Sequence, residues 1–257
     1  MVDSARRLKA SGHLVGRESA MARTLSRLVE ALGSRSRPDT SWISKVTSCT
    51  GDQVERAVAE VASHYEAVQE LIENIRRTGR SYYAQFPAPV DLFALVRLTR
   101  PRTLIESGVA SGVSSAFLLL GIKTNSRGVL HSMDFPVHRT KRKGNASWAI
   151  PEGLTSGWAI PMKLRKGWDL REGRSEDLLK PLLKEVGTLD FYCHDSPVDV
   201  KHFEFEMNAM KEHLVPGSLV VADNTDWEIF EETARSMGAK AIQRKHSSLA
   251  AFRVPSG

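Results

Sequence analysis

From Thr103 onward the chain alternates short apolar runs with amphipathic segments, and this rhythm limits the fold more than any other feature. Strands are predicted at Thr103–Glu106, Gly128–Met133, Trp168–Glu172, Leu189–Cys193 and Ser218–Ala222. Helices are predicted between and after them at Val113–Ile122, Ser175–Val186, Lys201–Leu214 and Trp227–Met237. Apolar strands separated by helices imply βαβ units around a buried parallel sheet. The end of the chain breaks the pattern. Ala239–Arg244 and Leu249–Val254 read as strands with only Lys245-His246-Ser247-Ser248 between them. That link is too short for a parallel crossover, so the pair must be an antiparallel hairpin. Five βα units closed by a hairpin give an α/β fold with a mostly parallel sheet.

The N-terminal third reads differently. Leu8, Leu14, Val15, Met21, Leu25, Leu28, Val29 and Leu32 approximate a helical stripe that stops at Gly33, and a polar Gly33–Asp39 loop follows. A second stripe runs from Val54 through Tyr65 to Ile75, closed by Gly79. Residues 1–80 are thus a helical appendage and residues 81–257 the α/β domain, which opens on a short helix from Val90 to Leu98 behind Pro87 and Pro89. The appendage is expected to cover one side of the sheet or to form a homodimer contact.

Charge is uneven. The net +6 is concentrated in residues 1–37, with eight Lys/Arg against three acids, and in residues 135–174, with nine against three. Such runs are either solvated faces or the footprint of an anionic partner. The second lies in a long, Trp-containing insert, 135–167, that must lie over the strand ends, where loops build binding sites. Arg139, Lys141, Arg142, Lys143, Lys163, Arg165 and Lys166 sit there beside Trp148 and Trp158, a composition that would suit an anionic acceptor. Cys49 and Cys193 match no disulfide or metal spacing, the start of the chain has no apolar signal core, and the run Ala116–Ile122 is too short to cross a bilayer. A cytoplasmic protein without membrane association is the expectation.

The chemistry-bearing pattern starts at the first strand. Glu106-Ser107-Gly108-Val109-Ala110-Ser111-Gly112 joins a strand to a helix with the spacing E-x-G-x-x-x-G, where glycines let a ligand approach backbone amides and a helix N-terminus. Asp134 closes the next strand, placed to accept hydrogen bonds from ribose hydroxyls. After the third strand, Gly173-Arg174-Ser175-Glu176-Asp177 offers a hydroxyl and acids to an adenine, or alternatively a helix cap at Ser175. At the ends of strands four and five, Asp195, Asp223 and Asn224 supply hard oxygen donors of the kind Mg²⁺ takes. The other reading of Asp223 and Asn224 is a turn and a cap for the next helix.

Glu106 to Ser115 resembles motif I of class I S-adenosylmethionine (SAM)-dependent methyltransferases, and Asp134 matches their ribose-binding acid. Gly157-Trp158-Ala159-Ile160-Pro161, Gly173-Arg174-Ser175, His194-Asp195-Ser196, Phe203-Glu204-Phe205-Glu206 and Asp223-Asn224 resemble the methyltransferase-24 branch, with similarity to catechol-O-methyltransferase-like enzymes. The resemblance spans about Tyr82 to Ala241. It implies a Rossmann-like, seven-stranded sheet with the last strand reversed. It also implies SAM held by Glu106, Gly108, Ser111, Gly112, Asp134, Ser175 and Asp195, and Mg²⁺ on Asp195, Asp223 and Asn224. The activity implied is O-methylation of a small-molecule acceptor, with Mg²⁺ assistance an open addition. One departure stands out. Relatives place a histidine or lysine three residues after Asp195, and this chain has Val198, leaving Asp195, His194 or Asp199 to serve catalysis. Two further readings stay open: methylation of RNA or another polyanion, and a silent SAM-binding scaffold.

Overall fold

The computed structural model describes residues 22–32, 37–78, 86–137, 149–196 and 199–256. Helix α1 (22–32) is followed by α2 (Thr40–Thr47), α3 (Gly51–Glu60) and α4 (Tyr65–Arg76). Then come α5 (Pro89–Thr99), β1 (Thr103–Ser107), α6 (Val113–Asn125), β2 (Val129–Asp134), β3 (Trp168–Glu172), α7 (Ser175–Val186) and β4 (Leu189–His194). The chain closes with α8 (Val200–Lys211), β5 (Leu214–Ala222), α9 (Trp227–Ser236), β6 (Ile242–Gln243) and β7 (Ala250–Arg253).

The seven strands form one sheet in the order β3-β2-β1-β4-β5-β7-β6. All pairs from β3 to β5 are parallel, and β7 runs antiparallel to both β5 and β6. The reversed hairpin inferred from its four-residue link is therefore present. Strand order reverses direction between β1 and β4, which is where an open α/β sheet leaves a crevice at its carboxyl ends.

Alternation along the strands divides the core in two. Leu104, Phe191, Cys193, Leu219 and Val221 face α5, α6 and the N-terminal helices. Ile105, Tyr192, Val220 and Ala222 face α7, α8 and α9. Each wholly buried Leu or Phe contributes roughly 1.5–3 kcal/mol. Helix α5 is apolar on every side from Val90 to Val96, apart from Asp91, because the sheet layer lies on one side and the N-terminal helices on the other.

Those helices share one core with the sheet and are fastened to its far edge. Trp42 Nε1 donates to the Ile242 carbonyl (2.9 Å), Arg253 Nη1 to the Thr47 carbonyl (2.7 Å) and Arg244 Nε to Asp91 Oδ2 (2.8 Å). Burial pushes the Asp91 carboxyl up to about 6 even with that guanidinium beside it.

Several boundaries differ from the sequence reading. The stripe from Val54 to Ile75 is two helices joined by a 3₁₀ turn at Val61–His64, from which His64 Nε2 reaches Thr124 Oγ1 at 2.7 Å. Helix α2 was hidden by the polar Gly33–Asp39 loop before it; Asp39 caps it by accepting from Trp42 N (2.9 Å). Leu214 belongs to β5 and not to α8, which ends at Lys211, and β6 holds only two residues. Among the described residues, no helix is long and apolar enough to cross a membrane.

Candidate cofactor site

A cavity of about 650 Å³ opens over the carboxyl ends of β1, β2 and β4. Its floor is the turn that follows β1. Gly108 takes φ +88°, and a Cβ there would lie 2.2 Å from the Asp195 carbonyl oxygen, so the β1 and β4 ends can approach this closely only around glycine. Gly112 takes φ +92°, and a Cβ on it would meet the Ile160 side chain at 2.5 Å. Helix α6 starts directly after Gly112 without a side-chain cap, and Val113 and Ser114 of its first turn line the cavity. Uncapped amides at a helix N-terminus favour an anionic ligand group such as a carboxylate.

Asp134 stands at the cavity wall where β2 ends. Its Oδ1 accepts from Val109 N at 3.1 Å, and its Oδ2 accepts from Ser156 Oγ. Burial raises its pKa, and these donors oppose the shift. Phe135, 60% exposed, and Arg174, whose guanidinium carbon lies 5.9 Å from the Phe135 ring centre, border the same wall.

A strap from the insert holds the glycine turn from the other side. Gly157 N donates to the Ala110 carbonyl (2.9 Å) and Ala159 N to the Ser111 carbonyl (3.1 Å). Asn74 of α4 donates to the Ala159 carbonyl (3.0 Å), and Arg165 to the carbonyls of Gly157 (3.1 Å) and Ile160 (3.2 Å). The N-terminal helices thus reach the glycine turn through this strap.

The candidate residues separate into groups. Gly108, Asp134, Ser175 and Asp195 all line the cavity. Glu106, Ser111 and Gly112 do not: Glu106 is wholly buried behind it and Ser111 Oγ is buried without a partner. Glu106 Oε2 accepts from Ser115 Oγ (2.6 Å) and Ser132 Oγ (2.7 Å), its Oε1 has no partner, and burial pushes its carboxyl up to about 7. Ser175 is the first helical residue of α7, not its cap, which is Arg174; the Ser175 hydroxyl instead lies 3.3 Å from His202 Nε2.

Of the catalytic candidates, Asp195 lines the cavity, and burial with Asp223, Glu106 and Asp134 nearby drives its pKa well above the carboxylate range. Asp199 lies at the cavity mouth, where its Oδ1 caps α8 by accepting from Lys201 N (2.9 Å) and His202 N (3.2 Å). His194 is buried beneath the floor, with Nδ1 2.7 Å from Glu206 Oε2. Asp223 and Asn224 follow β5, but the Asp223 oxygens accept from Ser248 Oγ and from Asn224 Nδ2 (3.2 Å). Among the described residues no group of three His, Cys, Asp or Glu side chains could hold a metal ion; the set Asp195, Asp223 and Asn224 offers two carboxylates and one amide.

Val198 and the basic cluster from Arg139 to Lys143, with Trp148, lie outside the described residues. Of the insert's other cations, Lys163 pairs with Glu70 (2.8 Å) and Arg165 braces the strap; the insert contributes Phe135, Val137 and Ile150 to the cavity instead.

The sequence marked Glu206 only within the Phe203–Glu206 resemblance and gave it no role; its partners include Ser107, His194 and His202. Its signal was available: Phe203, Met207 and Met210 mark the buried face of α8, and Glu206 falls within that stripe. A carboxylate on an apolar helix face requires partners.

Residues 105–225 match a family model described as a methyltransferase domain. Solved structures with a similar fold include cofactor-bound Rv0187 from MTB, at 15% identity over 75% of this chain and 91% of that one, TM-score 0.52. A putative O-methyltransferase from Klebsiella pneumoniae matches at 18% identity over 73% and 89%, TM-score 0.51. The O-methyltransferase TomG from Streptomyces achromogenes, involved in tomaymycin synthesis and solved with SAM, matches at 19% identity over 75% and 90%, TM-score 0.51. No curated protein matches the chain significantly.

Proposed function

We propose that this chain, whose residues 105–225 match a methyltransferase-domain model, transfers a methyl group from SAM to a hydroxyl of a small molecule. The observation that carries the proposal is the cavity itself, where the glycine turn, the α6 N-terminus, Asp134 and the β4 end converge. When bound, SAM supplies a methyl group on a positively charged sulfur.

The residues that would hold it are distinct along the cavity. The Gly108–Ala110 backbone and the first turn of α6 suit a carboxylate, Asp134 suits ribose hydroxyls, and Phe135 with Gly173–Glu176 forms a wall for the adenine. Asp134, Glu176 and Asp199 outnumber Arg174 and His202 among the lining residues, a balance that favours a cationic cofactor. Phe86, Val137 and Ile150 add apolar surface, which supports an acceptor with an apolar body over a polyanion.

The chain's own contribution is orientation and exclusion of water. Residues 81–257 provide the site in this reading, and the N-terminal helices act on it through Asn74 and the strap. The test is transfer of isotope-labelled methyl from SAM to a panel of hydroxylated small molecules, read by mass spectrometry. Label in an ether or ester product supports the proposal; label in RNA, or bound SAM with no labelled product, overturns it.

A further inference from the structure

A buried carboxylate lies beneath the cavity floor and does not line it. Glu206 is 0% exposed and takes four donors, two on each oxygen. Ser107 Oγ (2.6 Å) and His202 Nε2 (2.9 Å) reach Oε1; Tyr192 OH (2.8 Å) and His194 Nδ1 (2.7 Å) reach Oε2. Burial alone would raise its pKa, but His194 and His202 hold it well below the usual range. His202, flanked by Glu206 and Glu176, is itself raised to about 9 and carries a positive charge at neutral pH.

This arrangement orders the protons above it. An ionised carboxylate only accepts, and a serine hydroxyl has one proton to give. Ser107 therefore donates to Glu206. Ser196 Oγ lies 2.6 Å from Ser107 Oγ, and it must donate to Ser107. Both serines line the cavity. Ser196 thus has no proton left for a ligand and presents only lone pairs.

We propose that Ser196 accepts the hydrogen bond of the acceptor's hydroxyl and that Ser107 and Glu206 receive the proton it sheds. This inference rests on the methyltransferase reading. As the new carbon–oxygen bond forms, the methyl–sulfur bond breaks and its electron pair stays on sulfur. The hydroxyl proton moves to Ser196 Oγ, the Ser196 proton to Ser107 Oγ, and the Ser107 proton to Glu206 Oε1. An oxygen gaining a methyl group is far more acidic than a carboxylic acid, so a carboxylate of low basicity suffices. After the product leaves, Glu206 returns the proton to water through the same two hydroxyls. The relay supplies a base without any contribution from position 198.

Two measurements test it. The first needs no acceptor: carbon-13 NMR of glutamate-labelled protein, with and without the demethylated cofactor product S-adenosylhomocysteine (SAH), and Glu206→Gln to assign the signal. Glu206 should be ionised at neutral pH; a protonated Glu206 would reverse the order of the hydroxyls and overturn the proposal. The second uses the hydroxylated acceptor from the panel screen. Ser196→Ala should lose about 100-fold in kcat while SAH binding stays within about twofold, and Ser196→Thr, which keeps the hydroxyl, should recover part of the rate. Unchanged turnover in Ser196→Ala overturns the relay while leaving the methyltransferase reading intact. So does a parallel loss of SAH affinity, which would place Ser196 on the cofactor. A wild type that labels no acceptor overturns both.

Discussion

Glu106 and Glu206 are both wholly buried near the same cavity, on opposite faces of the sheet, and their surroundings shift their pKa values in opposite directions. Glu106 faces α6 and receives only serine hydroxyls, on one oxygen. Glu206 faces β4 from α8 and receives two imidazoles as well as two hydroxyls. Hydroxyls lessen the cost of removing a carboxylate from water but do not cancel it, and Glu106 holds its proton up to about pH 7. A cationic partner reverses the balance. The register of β1 arranges this division, because Glu106 and Ser107 are consecutive and point to opposite faces.

Removing the better-paired carboxylate should cost most. Glu206→Leu leaves Tyr192, His194 and Ser107 without their acceptor and takes from His202 one of its two carboxylates, leaving Glu176. A loss of roughly 3–5 kcal/mol is expected in denaturant unfolding. Glu106→Gln should behave in the other direction as pH rises. With a folded pKa of about 7, Glu106 holds a proton that the unfolded chain releases above about 4.5, so wild-type stability falls across that interval. Glu106→Gln should abolish a decline on the order of 3 kcal/mol in unfolding experiments between those pH values. A parallel decline in the variant would break the comparison.

Glu206 gives the opposite slope. Its stabilisation is present above the unfolded pKa and is lost as pH falls through the lower folded value, so Glu206→Gln should flatten the acid side of the stability profile. His202 adds an alkaline limb. What it contributes is complete below about pH 6.5 and disappears as pH rises through about 9, a transition that histidine NMR should report and that Glu206→Gln should move downward. The smallest effect is expected at the strap: Asn74→Ala should cost about 1 kcal/mol and weaken SAH binding several-fold, by loosening Ala159 against the glycine turn.

Most of the α/β layout was legible because most of strands β1 to β5 are short apolar runs between helices, β3 being the polar edge strand, and the four residues before Leu249 permit only a hairpin. Asp134 was legible from its place at the end of the second strand. Leu214 was misplaced because an apolar residue after a helical stripe satisfies either element, and only its pairing with Leu189 decides. His194 was singled out from the His-Asp-Ser string, but strand parity sends it inward with Tyr192 while Asp195 reaches the cavity. The Glu206 network joins β1, β4 and α8 across about a hundred residues, so its partners follow from topology and not from spacing. Asp223 and Asn224 were readable as strand-end donors, yet the Ser248 hydroxyl that engages Asp223 comes from the turn before β7.

The most direct test of the account is calorimetric titration of SAH into the wild type and Asp134→Ala. Binding by the wild type that weakens on the order of tenfold to a hundredfold in the variant is the predicted result, because a charged acceptor for ribose hydroxyls is lost. Absence of binding to the wild type, or equal affinity in both proteins, would contradict the assignment of this cavity as the cofactor site.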